Sequence, residues 1–137
     1  MTAPVGLATV RSPRGTVLEV LEDSPERFRL RRRMPPHTGR GAPHRHLDGI
    51  ERFTVLEGEA KGSVHGRSRR LGPGDVLDVP VGAAHVHPHT GGDTALVEHV
   101  IEPRPRFVQV YFASWLRWLE RAASIARTNP RSWPSWA

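Results

Sequence analysis

The sequence predicts an all-β domain, a small barrel or sandwich, followed by one C-terminal α-helix. Three observations carry this prediction. Short strand-like runs recur at even spacing over the first hundred residues. Thirteen glycines and thirteen prolines in 137 residues divide those runs with tight turns. After residue 107 the apolar spacing changes to three- and four-residue steps, the period of a helix. The length suits one domain around one core. The expected organisation is a single domain over 1–137, with a barrel core at about 16–103, a helix at about 107–127 and a tail at 128–137.

The elements follow in order. Residues 1–15 read as a loose arm or edge strand. TVLEVLE (16–22) forms a strand broken by DSPE, and FRLRRRM (28–34) forms a second that stops at Pro35-Pro36. HTGRGAP is a loop. HRH begins a strand that turns at Asp48-Gly49, a strong turn dipeptide, and ERFTVLEG returns alongside it to Gly58. EAKGSVHG is a short strand with a turn near Gly66. The turn LGPGD (71–75) leads into VLDVP, which Pro80 ends. AHVHPH is a short strand interrupted by Pro88, TGGD is a turn, and TALVEHVIEP is the last long strand. In FVQVYFASWLRWLERAASIAR (107–127), Val108, Tyr111, Trp115 and Leu119 form an amphipathic stripe expected to pack on the barrel. Trp118 lies off its centre as an interface candidate, and Asn129-Pro130 ends the helix.

Composition narrows the function. No cysteine is present, so a disulfide framework and a thiolate metal site are excluded, and any metal must be held by nitrogen and oxygen. No basic region precedes a long apolar core at the N-terminus, and no run reaches the roughly eighteen apolar residues of a membrane span. A cytoplasmic protein without a membrane partner is expected. The net charge is +6, but nineteen of the twenty basic residues are Arg, which looks like coding composition. The densest cluster, Arg29 with Arg31 to Arg33, lies in a strand whose alternate residues face opposite ways; it reads as a spread-out solvated face, and no nucleic-acid partner is expected.

The chemistry concentrates in PHRHLDGIERFTVLEG, Pro43 to Gly58. Residues two apart on a strand point the same way, so His44 and His46 share a face and their ring nitrogens can converge on one ion. The Asp48-Gly49 turn then allows Glu51 to add an oxygen. Further on, GDVLDVPVGAAH, Gly74 to His85, spaces Gly, five residues, Pro, one, Gly, two, His. The earlier stretch reads HRH, four residues, Glu, six residues, Gly.

Together these two stretches resemble the two motifs of the cupin superfamily. The first maps onto His44, His46, Glu51 and Gly58, and the second onto Gly74, Pro80, Gly82 and His85. Two departures stand out. Gly39 lies five residues before the first His where the family usually has Gly at six, and His89 stands where the family usually has Asn. The resemblance implies a small cupin-type β-barrel, a double-stranded β-helix or jelly roll, in which His44, His46, Glu51 and His85 bind one divalent metal. Imidazoles with a carboxylate suit Fe, Mn, Ni, Cu, Co or Zn better than Mg or Ca. Four protein ligands would leave two adjacent octahedral positions open to a substrate.

If Glu51 faces inward, so do Phe53 and Val55 by alternation, and Leu77 and Val79 are expected to join them as an apolar lining. His99 shares the apolar face of the last strand with Ala95, Val97 and Ile101 and is expected as a pocket contact. His87 has the parity of His85, though Pro88 disturbs the strand. His89 is placed at a turn or the pocket rim, and His37 and His65 are solvated. The resemblance implies a metal-dependent enzyme acting on a small oxygen-bearing metabolite, a dioxygenase being the leading form and Glu51 a candidate proton acceptor. A metal-dependent isomerase or lyase, a non-catalytic metabolite-binding module, and a purely structural metal are the alternatives. Edge strands and the aromatic helix suggest a homodimer.

Overall fold

The computed structural model describes residues 8–12 and 14–104. The expected helix at 107–127 and the tail lie outside the described residues. Within them the sequence forms β1 (Ala8–Arg11), β2 (Val17–Asp23), β3 (Phe28–Met34), β4 (Ile50–Gly58), β5 (Ala60–Val64), β6 (Arg67–Leu71), β7 (Val76–Val79), β8 (His85–His89) and β9 (Ala95–Glu102). All pairings are antiparallel. One sheet runs β1-β2-β3-β9-β4-β7 and the other β6-β5-β8. The two sheets face each other as a small jelly-roll barrel, the fold class the sequence predicts.

The strand β3 shows how the alternation works. Phe28, Leu30 and Met34 are buried on its inner face. On its outer face Arg29 meets Glu98 at 3.1 Å, Arg31 meets Glu19 at 2.7 Å and Arg33 meets Glu57 at 3.1 Å. These cross-strand pairs are solvated, so each contributes little to stability, but they keep acid opposite base along the sheet. The expectation of one solvated arginine face holds for these three. Arg32 has the opposite parity and points inward with Leu30 and Met34.

The chain from 38 to 46 departs from the expected hairpin. Thr38 O accepts from Thr90 N at 2.9 Å, His44 and His85 exchange both backbone hydrogen bonds at 2.8 and 3.0 Å, and His46 O accepts from Gly82 N at 2.7 Å. This segment therefore lies antiparallel to 82–90 and extends the smaller sheet past β8. Strand β4 instead runs between β9 and β7 in the larger sheet. Asp48-Gly49 thus carries the chain from one sheet to the other. Long-range pairing with 82–90 overrides the local turn signal.

Two further local features bear on the site. Strand β6, RSRRL, has four exposed residues before buried Leu71, so no apolar alternation announces it. It forms because His65 and Gly66, at φ 53 and 76, make a tight left-handed hairpin turn after β5. Pro88 does not end β8. The register between β5 and β8 shifts between Lys61 and Ser63, leaving the stretch around Pro88 opposite Gly62 as a bulge, where a residue without an N–H is tolerated.

The core lies between the sheets. Phe53, Val55, Met34, Leu71, Ala95 and Val97 are fully enclosed. Gly58 closes β4 against β9 at φ 76, and a Cβ there would lie 1.9 Å from Thr94 O. Only glycine fits that approach.

Candidate metal centre

The two sheets bring their donors together from opposite sides. The smaller sheet and its 38–46 extension carry His44, His46, His85 and His87. The larger sheet carries Glu51 on β4 and His99 on β9, with Phe53 between them: Phe53 is the register partner of His99, and Glu51 is that of Ile101. Gly82, at φ 78, turns the chain so that its N–H reaches His46 O just before β8 begins at His85.

Donor atoms of His44, His46, His85 and His87 all lie within 4.8 Å of one another, and those of Glu51, His87 and His99 form a second such group. Glu51 joins the two. Its Oε1 is 2.5 Å from His46 Nε2, and its Oε2 is 3.2 Å from both His85 Nε2 and His99 Nε2 and 3.9 Å from His87 Nε2. All four residues expected as ligands are thus side by side. His87 and His99 stand with them, His87 through the β8 parity that Pro88 leaves intact. Phe53 stacks on His99 at a centroid distance of 4.2 Å and approaches His87 at 5.0 Å. Val55, Leu77 and Val79 are buried as expected and belong to the packed core beside it. His37 and His65 are exposed.

The rings are oriented by the backbone. His44 Nδ1 and His85 Nδ1 each lie 3.0 Å from a carbonyl two residues back, that of Ala42 and of Ala83. A carbonyl only accepts, so in the neutral ring Nδ1 carries the proton and Nε2 offers its lone pair. Thr90 anchors the neighbouring chain: its hydroxyl donates to Pro35 O at 2.5 Å and accepts from Thr38 N at 2.9 Å.

Protonation states follow from burial and charge. Burial opposes ionisation of Glu51, but the imidazoles of His46, His85 and His99 outweigh it and hold the carboxyl far below its ordinary range. Burial lowers His44 and His99. It lowers His87 strongly, and the positive charge of Arg32 adds to the effect. For His85 burial works downward, yet the Glu51 carboxylate and the Ala83 carbonyl raise it overall. An ionised carboxylate among mostly neutral imidazoles is the state in which such groups bind a cation.

The donors fit a metal ion on a further ground. Glu51 Oε1, His85 Nε2 and His87 Nε2 are buried and make no hydrogen bond. Buried polar atoms in this condition are costly unless something satisfies them. A cation between them would do so, and the nitrogen-rich donor set suits a divalent transition metal. His46 and His87 keep 17% and 18% of their side-chain surface, whereas His85 has none, so solvent reaches the cluster from the His46 and His87 side.

Comparisons with known proteins bear on the family and the fold. The profile described as "Cupin domain" matches residues 30–101, more than half of the chain. No curated protein matches it in sequence. Solved structures match well in fold. KdgF from Halomonas sp. is 22% identical, with a TM-score of 0.62 over 72% of this chain and 89% of that one. A predicted oxalate decarboxylase from Thermotoga maritima is 22% identical, with a TM-score of 0.59 over 70% and 90%. The DMSP lyase DddQ from Ruegeria pomeroyi DSS-3 is 24% identical, with a TM-score of 0.54 over 64% of this chain and 46% of that one. At these identities the likeness concerns the fold. With both motifs in place, the profile match across them and a His/Glu cluster between the two sheets, the chain belongs to the cupin family.

Proposed function

We propose that this protein is a metal-dependent enzyme acting on a small oxygen-bearing metabolite. The observation that carries the reading is Glu51, 2% exposed, facing imidazoles from both sheets with one oxygen and two ring nitrogens lacking hydrogen bonds. His44, His46, Glu51 and His85 would hold the ion, and the ion would polarise or exchange electrons with bound substrate oxygen. Phe53, fully enclosed and stacked on His99, packs against the cluster. His99 touches Glu51 Oε2 at 3.2 Å and orients it.

A dioxygenase is the leading form. A second reading, an isomerase or lyase, is supported by the names of two structural neighbours, a predicted oxalate decarboxylase and a DMSP lyase. A metabolite-binding module without turnover would use the same pocket. We further propose a cytoplasmic homodimer whose partner is a small molecule, with neither nucleic acid nor membrane involved.

The test is elemental analysis of protein purified without chelators or nickel resin, followed by turnover assays with and without dioxygen. One transition-metal ion per chain and oxygen-dependent turnover are expected. Undiminished anaerobic turnover would eliminate the dioxygenase and select the isomerase or lyase. Tight ligand binding without turnover would select the binding module. Absence of metal from every preparation would overturn the proposal.

A further inference from the structure

Strand β6 ends the smaller sheet and β7 ends the larger one, so a seam runs between these two edges. Alternation along β6 puts Leu71, Arg69 and Arg67 on one face. Leu71 is fully buried, and its register partner Ala60 is buried with it. Arg69 and Arg67, opposite Gly62 and Val64, therefore lie on the core-facing side of the sheet. Arg70 lies on the outer side and meets Glu59 at 3.6 Å. A Cβ at Gly62 would lie 2.9 Å from Leu77 Cδ2, so the two sheets touch beside Arg69. Along the seam, Val64, His65, Arg67, Arg69, Leu77 and Asp78 line a cleft of about 560 Å³. Across the larger sheet Phe53 stands between Leu77 and His99, and no residue of the cleft belongs to either donor group of the metal centre.

The charges of the cleft are unbalanced. Asp78 is the single acid lining it, and Arg52 already pairs with Asp78 at 2.8 Å. Arg69 Nη1 donates to Val76 O at 3.1 Å across the seam. That bond fixes the guanidinium and leaves its other N–H groups without an acceptor among the described residues. Arg67 makes no hydrogen bond or ion pair among the described residues. The outer arginines of β3, by contrast, each face a glutamate. Residues two apart on a strand stand about 7 Å apart, so one anion can lie between the two arginine side chains. A carboxylate has two oxygens, which a single guanidinium fork already fills. A phosphate monoester has three terminal oxygens and close to two negative charges, enough to accept from both forks. Val64 and Leu77 offer apolar surface to the rest of such a ligand, and His65 stands beside them with a further ring donor.

We propose that this cleft is a second binding site, separate from the metal centre, which takes a small phosphate monoester through Arg67 and Arg69 and packs its apolar body on Val64 and Leu77. The site does not depend on the metal-dependent reading above.

The experiment titrates the full chain, loaded with diamagnetic zinc, with phenyl phosphate, benzoate and benzyl alcohol, following heat and backbone amide shifts. Phenyl phosphate is expected to bind more tightly than benzoate, and benzyl alcohol not to bind. The amide shifts should gather at 64–69 and 76–78. Arg67→Gln and Arg69→Gln change exposed residues and should leave the circular dichroism spectrum unaltered. Each should weaken phenyl phosphate about tenfold or more, the loss expected for a charged hydrogen bond. Arg70→Gln, on the other face of the same strand, should leave the affinity unchanged. Absence of phenyl phosphate binding would overturn the proposal and leave the two arginines as guards of an open strand edge. Equal weakening by Arg70→Gln would overturn it as well, since attraction to the overall positive charge would then suffice. Shifts confined to 44–51 and 83–89 would place the anion at the metal centre and exclude the cleft. Benzoate binding as tightly as phenyl phosphate would refute the assignment to a phosphate.

Discussion

Gly58→Ala and Gly66→Ala form a matched pair, because both glycines have φ 76 and only their surroundings differ. Each alanine must adopt a left-handed backbone, which costs about 1–2 kcal/mol for an L-residue. At Gly66, on the tip of the β5–β6 turn, a Cβ meets nothing within 4 Å, so that cost is the whole effect. At Gly58 the Cβ would lie 1.9 Å from Thr94 O and 3.0 Å from Ala95 Cα. The backbone of β9 must therefore withdraw by about 1 Å where Gly58 pairs with Ala95, adding about 1–3 kcal/mol of overpacking strain. Gly58→Ala should lose about 2–5 kcal/mol in total. Urea unfolding followed by far-UV circular dichroism measures both variants, and an unchanged m-value assigns the midpoint shift to stability. Equal shifts in the two variants would refute the reasoning, since the close β4–β9 approach would then cost nothing.

Other perturbations have equally definite outcomes. Phe53→Ala should destabilise by about 3–5 kcal/mol, because a fully enclosed ring leaves a cavity beside His99 and His87, whereas Phe53→Leu should cost under about 1.5 kcal/mol; thermal melts distinguish them. A chelator should lower the melting temperature of the wild type, since metal at a hundredfold above its dissociation constant stabilises by about 2.7 kcal/mol, while Glu51→Gln should melt nearly alike with and without chelator. A wild type insensitive to chelator would count against a resident ion. Metal-free protein should lose stability between pH 7 and pH 5. His44, His87 and His99 have lowered folded pKa values, so their contribution is present above about 6.5 and is lost on acidification as the unfolded chain takes up protons. His85, raised in the folded state, contributes in the opposite direction but is outnumbered; below about 4.5 the depressed Glu51 adds to the loss. A flat melting temperature across this range would show that the burial of these rings does not control their protonation.

Much of the site was legible because its signals are local. The HxH spacing places His44 and His46 on one face through strand geometry alone, and the parity of β4 buries Glu51 and Phe53 together. The same parity pointed to His99. His87 was harder to place, since a proline within a strand usually ends it, and only the bulge opposite Gly62 shows how β8 continues. The exposed β6 offered no apolar alternation at all, and its existence follows from the turn before it and its pairing with β5.

The sequence by itself determined the strand periodicity, the motif spacing and the kinds of donor available, because these depend on near neighbours and on side-chain chemistry. Tertiary structure alone decided which strands meet. It placed 38–46 beside 82–90 and moved β4 to the opposite sheet, so that Asp48-Gly49 links two sheets where a hairpin was expected. That pairing brings the histidines onto one wall and Glu51 onto the other, and it turns Arg32 inward while its neighbours in the run face solvent. Such choices depend on contacts between residues far apart in the chain, whose combined burial outweighs the preference of any single turn.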